Sequence, residues 1–257
     1  MNLKRIKALV QRDYLVFIKS KYRWLEFFYF PVTSVIIWGV FALWTGEFAS
    51  FAGKIVLVIN VFWSYAYTVQ STINLSMNED AWHSETHHLF VSGIGKWEYL
   101  LSKTIFSIII SFISLLLMLI IMHFLFLNIS QVVLQVLVFV LLTAFISISL
   151  AIFIAGLFFI LGRDYAWLAW SALQFFILLS FPLSPIDILP SYLQNIARVM
   201  PYGNLFEGLR SFILGKSFNE FFISSFQVGA FYLILGLIVY RFGIDYSRKS
   251  GKFAKMF

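Results

Sequence analysis

The sequence predicts an all-α polytopic membrane protein, on three observations. Hydrophobic residues make up 61% of the 257-residue chain and charged residues 12%, against roughly 45–50% and 25% in a soluble domain. Residues 104–162 run for 59 positions without Asp, Glu, Lys or Arg. The Lys and Arg residues gather toward the two chain ends. A soluble fold has too little polar cover for this much apolar surface. That argues against a soluble enzyme, a secreted scaffold and a disordered chain. There is no cysteine, which excludes disulfides, thiolate metal sites and thiol nucleophiles. The net charge is +7, and its placement suits anionic lipid headgroups and topology control rather than nucleic acid.

The elements follow in order, as a single transmembrane domain over 1–257. Residues 1–27 carry seven Lys and Arg, with Ile6, Leu9, Val10, Tyr14 and Phe17 at steps of three and four. This predicts an amphipathic helix lying along a membrane surface. It is not a cleavable signal, since the first apolar run starts late and no small-residue cleavage site follows. The first span is expected near Phe28–Trp44, with Pro31 near its start, and Glu47 to Lys54 connects it to a second, uncharged span near Ile55–Met77. The uncharged 104–162 stretch would reach about 88 Å as one helix, close to three bilayer cores. It must fold back at Asn128-Ile129-Ser130-Gln131, giving a third span near 104–127 and a fourth near 132–161. Gly162-Arg163-Asp164 closes the fourth, a fifth follows at Tyr165–Phe181, and a sixth at Phe222–Tyr240 precedes a basic tail.

With the N-terminus inside and the spans alternating, inside segments hold fifteen Lys and Arg and outside segments four. This is a strong positive-inside bias. It places both termini in the cytoplasm and requires an even number of spans, which six satisfies. Between spans five and six, residues 182–221 are broken by Pro182, Pro185, Pro190 and Pro201 yet remain apolar. Leu189 to Met200 and Tyr202 to Leu214 read as two short re-entrant helices dipping into the outer leaflet, sheltered by the rest of the protein.

Three groups of residues bear on function. The second span carries Asn60, Ser64, Tyr67, Ser71 and Asn74 on one helix face. Polar groups at such depth line a wet path or hydrogen-bond across helices, and spacing alone leaves both open. Ser147, Ala151 and Ala155 form a small-residue stripe suited to close helix packing. The segment 78–103 is the richest in polar groups, with Glu79, Asp80, His83, Glu85, His87 and His88. Glu79, His83 and His87 share a face, but no fourth metal ligand is evident and the HExxH pattern is absent; a solvated or partner-facing helix is expected. There is no Walker-type loop, no GxSxG, and no charge inside the expected spans, which argues against a proton or sodium relay. If this chain moves something uphill, the energy must come from another subunit.

Two segments resemble the membrane subunits of type-2 ABC exporters, whose cargoes include polysaccharides, lipid-linked glycans, drugs and peptides. The first is Glu85-Thr86-His87-His88-Leu89-Phe90-Val91-Ser92-Gly93 through Glu98-Tyr99-Leu100-Leu101-Ser102-Lys103. It is similar to the family's cytoplasmic stretch, with Gly93 where the family usually has Pro and Glu85 where it has Gly. The second is Phe181-Pro182-Leu183-Ser184-Pro185 with Leu189-Pro190, Ile196-Ala197, Met200-Pro201 and Leu209-Arg210. It is similar to the Pro-rich turn, short helix and terminal Arg before the family's last span. The resemblance implies that two permeases, identical or sister, pair within the lipid of the cytoplasmic membrane. Each docks a cytoplasmic ATPase through 78–103 and the N-terminal helix. ATP and Mg then belong to the partner, and this chain holds no cofactor. The resemblance also implies a route for an amphiphilic substrate, lined by the second-span stripe and joined by Trp167, Trp170 and Gln174. For the two tryptophans an interfacial aromatic belt is the other reading. A membrane-embedded lipid-modifying enzyme and an ion-coupled carrier are the rival functions.

Overall fold

The computed structural model describes residues 1–46, 52–83, 85–128, 130–162, 165 and 167–250. Residues 47–51 of the expected Glu47 to Lys54 connection, Ile129 of the expected fold-back, Arg163 and Asp164 at the close of the fourth span, and the tail from Gly251 lie outside the described residues, as does the Trp170 side chain. The described chain is helical, with no strand among the described residues.

Helix α1, Leu3–Lys19, is capped by Asn2, whose side chain accepts the Lys4 N–H at 3.0 Å. Its buried face is Ile6, Leu9, Asp13 and Phe17, at helical spacing and with one acid among the apolar residues. The helix stops at Ser20, whose backbone is extended. A second continuous helix then starts at once. Its first turn is α2, Lys21–Trp24, its second a π-turn at Leu25–Tyr29, and the rest α3, Phe30–Gly46. Pro31 explains the π-turn. It has no N–H for the carbonyl of Phe27, and its ring crowds that carbonyl. The stranded oxygen accepts instead from Ser114 Oγ at 2.7 Å. The spanning helix thus begins at Lys21, seven residues earlier than the expected Phe28, and Arg23 and Glu26 lie inside it.

Helix α4, Ala52–Trp82, is 31 residues long and central, packed against α3 and against most of the helices described next. A short α5, Glu85–Val91, ends in a turn at Gly93, whose φ of +85° suits glycine. Helix α6 follows at Lys96–Leu125 and α7 at Val133–Leu161. The last helix, α11, is Asn219–Lys249. It packs on α7 at backbone contact: a Cβ at Gly156 would sit 2.5 Å from the Tyr240 nitrogen, and one at Gly243 2.5 Å from the Gly156 oxygen. On the small-residue stripe, Ala151 and Ala155 are buried beside Tyr240 and Ile244, while Ser147 Oγ lies 3.0 Å from the hydroxyl of Tyr202.

Among the described residues, five helices are long and apolar enough to cross a membrane: Lys21–Thr45, Ala52–Trp82, Lys96–Leu125, Ser130–Leu161 and Asn219–Lys249. The expected fifth span differs. Its described helix, α8, is Leu168–Leu179, 12 residues or about 18 Å, against a hydrocarbon core of about 30 Å. It ends at Phe181, which takes a φ of 47°. Arg210 holds that strained corner, donating to the carbonyls of Phe181 and Pro182 and pairing with Glu207 at 2.6 Å. Burial lowers the Arg210 pKa, opposed by Glu207. Two short helices do lie between α8 and α11: α9, Ser191–Val199, and α10, Gly203–Ile213. They are unequal. On α9, Tyr192 and Val199 are exposed, whereas Leu205, Phe206 and Leu209 of α10 sit in the main core with Phe62 and Phe139.

Candidate functional site

Two sites share the α4 helix. The first is at its C-terminal end, where a buried ion cluster joins α1, α4 and α6. Arg12 donates to Asp80 at 2.8 Å and to Asp13 at 2.7 Å. Lys103 Nζ is 2.7 Å from Asp80 and 3.0 Å from Asp13, with its side chain 1% exposed. The Tyr99 hydroxyl donates to Asp80 at 2.8 Å. Two carboxylates and two cations therefore neutralise one another away from solvent. Burial tends to lower the Arg12 pKa, but Asp80 and Asp13 outweigh it and raise the value, so the guanidinium stays charged. Around this core, Arg23 pairs with Glu79, Arg12 reaches Glu85 at 3.1 Å, and Arg5 donates to the Gly93 carbonyl at 2.6 Å. Glu98 accepts from the Asn2 and Gly95 nitrogens at 2.6 and 3.0 Å. Helix α11 joins through Lys96 and Asp245 at 2.8 Å.

The six acidic and histidine residues singled out in the 78–103 segment thus divide. Asp80 is buried in the cluster and Glu79 is half-exposed beside it. His83, Glu85, His87 and His88 are exposed, the last three on α5. Among the described residues no three His, Asp or Glu side chains gather as a metal site. Arg12, Asp13 and Lys103 were not singled out by sequence reasoning. The signal was present for Asp13, an acid on the apolar face of an amphipathic helix.

The second site is a cleft of about 750 Å³ between the Lys21–Thr45 helix, α4 and α8. Asn60, Ser64 and Tyr67 of the polar stripe line it, and Gln174 of α8 closes one side. Trp38 and Trp63 are among its apolar walls. Ser34 Oγ donates to Asn60 Oδ1 at 3.0 Å, and the Tyr67 hydroxyl donates to Glu26 Oε1 at 3.3 Å. The other two stripe residues lie elsewhere. Ser71 Oγ and both polar side-chain atoms of Asn74 are buried without a hydrogen-bond partner among the described residues. Next to them, Gln70 Nε2 donates to the Ala169 carbonyl at 3.1 Å and ties α4 to α8. Trp167 does not reach the cleft; it lines a separate apolar crevice of about 330 Å³ between α7 and α8. Glu26 is the functional candidate that sequence reasoning missed, because residues 1–27 were assigned to the membrane surface.

A bundle of long apolar helices, with a charged, internally paired end and a part-polar cleft, is the build of a membrane transport subunit. The ABC-2 family transporter profile matches residues 27–241, so the chain belongs to that family. No curated protein matches it. The chain is therefore a multi-pass membrane protein and an ABC transporter permease, not itself catalytic.

Proposed function

We propose that the chain is the permease of an ATP-driven exporter in the cytoplasmic membrane. In this reading both termini and α5 are cytoplasmic, α8 belongs to the fifth of six spans, and α9 and α10 re-enter from the outer side. Two permeases pair, each docks an ATPase that carries ATP and Mg, and an amphiphilic substrate passes along the cleft. The observation that carries the reading is the placement of the ion cluster. It ties the exposed α5 face to α1, α4 and α6. The same α4 helix runs on, through Tyr67 and Asn60, into the cleft. A push on α5 is thereby carried to the cleft wall by a rigid helix rather than a loop.

The purified chain is expected to hydrolyse no ATP alone and to support substrate-sensitive hydrolysis once joined by its ATPase. Glu85→Lys combined with His87→Ala and His88→Ala should abolish that coupling while leaving the bundle folded. Full coupling in this triple variant would refute the assignment. Glu26 supplies an intramembrane carboxylate of the kind an ion-coupled carrier uses, and uptake into ATPase-free proteoliposomes driven by a pH gradient would favour that rival.

A further inference from the structure

The cleft has a chemical polarity that its volume does not convey. Glu26 is the one charged residue among the described residues lining it. Glu26 lies five residues into the spanning helix from Lys21, about 8 Å along the axis, and Trp38 is about 18 Å further on. The cleft therefore carries a carboxylate at one end and the Trp38 indole toward the other, with Trp63, Ser64 and Asn60 between. Among the described residues Glu26 accepts one hydrogen bond, from Tyr67, whereas a carboxylate accepts several. The nearest cation in sequence, Arg23, pairs with Glu79 on the side of the ion cluster and also lies within electrostatic reach of Glu26. The π-turn imposed by Pro31 spans Leu25–Tyr29 and so includes Glu26.

We infer that Glu26 makes this cleft selective for cationic amphiphiles: molecules with an ammonium or guanidinium head and an apolar or aromatic tail. The head is set against the Glu26 carboxylate, where low dielectric strengthens the attraction. The tail lies along Trp38 and Trp63, whose ring faces also attract positive charge. A volume of about 750 Å³ suits one drug-sized molecule. A carboxylate or phosphate head of similar size would meet like charge in the same place. The inference deepens the reading of the cleft as the substrate route and rests on it. The head belongs either to an amphiphile from the cytosol or to an amine-bearing lipid, and the chemistry at Glu26 is the same for both.

The test uses the full chain in phosphatidylcholine nanodiscs, without any ATPase, so that a failure of the export reading leaves it unaffected. The probes are dansylcadaverine, a fluorescent primary ammonium, and its N-acetyl form, which keeps the tail and loses the charge; empty discs supply the background. Wild type is expected to bind the ammonium at least tenfold more tightly than the acetyl form. Glu26→Gln should lose at least tenfold toward the ammonium and change less than twofold toward the acetyl form, which also reports an intact cleft. Glu220→Gln, an exposed acid at the start of α11, should leave both affinities unchanged. Equal affinity of wild type for the two probes, unchanged ammonium binding by Glu26→Gln, or an equal loss of both probes would each overturn the inference. Doping the discs with phosphatidylethanolamine then identifies the source. Displacement of dansylcadaverine supports a lipid headgroup at Glu26, and retention supports a cytosolic amphiphile.

Discussion

The ion cluster and the cleft are built on the same α4 helix, about four to six turns apart, yet they solve opposite problems. In the cluster every charge has an opposite partner close by, and Lys103 and Asp80 have almost no contact with solvent. In the cleft Glu26 has one hydrogen bond among the described residues, and the Ser71 and Asn74 side chains just beyond it have none there. A saturated network resists rearrangement because each broken contact strands a buried charge. An unsaturated one holds groups that a ligand, water or a moved helix can still satisfy. One end of α4 is made to transmit force and the other to receive something.

The largest expected effect breaks the first half of this contrast. Lys103→Met removes one cation from between two buried carboxylates and should destabilise the chain by about 3–5 kcal/mol, read as a lowered melting temperature in detergent. A comparable stability to wild type would show that the cluster is not the lock described. Next, Arg12→Gln keeps Lys103 in place but strips Asp80 and Asp13 of their second partner, and should cost about 1.5–3 kcal/mol. The pKa of Arg12 is raised, and a raised pKa gives stability that is fully present below the unfolded-state value and is lost as pH climbs from there to the folded-state value. The ion-pair contribution of Arg12 should therefore persist through alkaline pH, checked by melting between pH 7 and 10.

Smaller effects sharpen the second half. Ser34→Ala removes one cleft hydrogen bond, to Asn60, and should change stability by about 0.5–1.5 kcal/mol while altering substrate-stimulated ATPase activity of the assembled complex. The smallest thermodynamic effect belongs to Glu85→Lys. Its pairing with Arg12 is half-exposed on the Glu85 side, so the loss should be about 0–1 kcal/mol. If Glu85→Lys melts as low as Lys103→Met, the line between buried lock and exposed docking face is misplaced.

Much of this was legible in the residues themselves. The amphipathic α1, the long α4, α6 and α7 and the two short helices after the Pro-rich turn all follow from apolar periodicity and breakers, although the surface helix expected over 1–27 ends at Lys19 and α6 starts at Lys96, ahead of the expected 104. Gly93 does sit in a turn with positive φ, as a breaker in that position implies. The small-residue stripe was visible, but its partners were not: Ser147 meets Tyr202, the residue before α10, and the backbone contact of α7 with α11 uses Gly156, Gly236 and Gly243. The described α8 is shorter than its apolar run suggested, because its described helix starts only at Leu168 and Phe181 turns the chain.

Composition and charge placement alone determined that this chain dissolves in lipid and which ends carry the positive residues. Those are properties of segments, set by the transfer of side chains out of water. Which polar residues meet was decided only by the tertiary structure. Asp80 reads like Glu79 and Glu85 in sequence, yet it is drawn inward by Arg12 and Lys103 from helices 68 and 23 residues away. Glu26 reads as a surface acid until Pro31 and the early start of the spanning helix carry it into the cleft. Charges act across space at a few ångströms, and distance along the chain says nothing about which of them come that close.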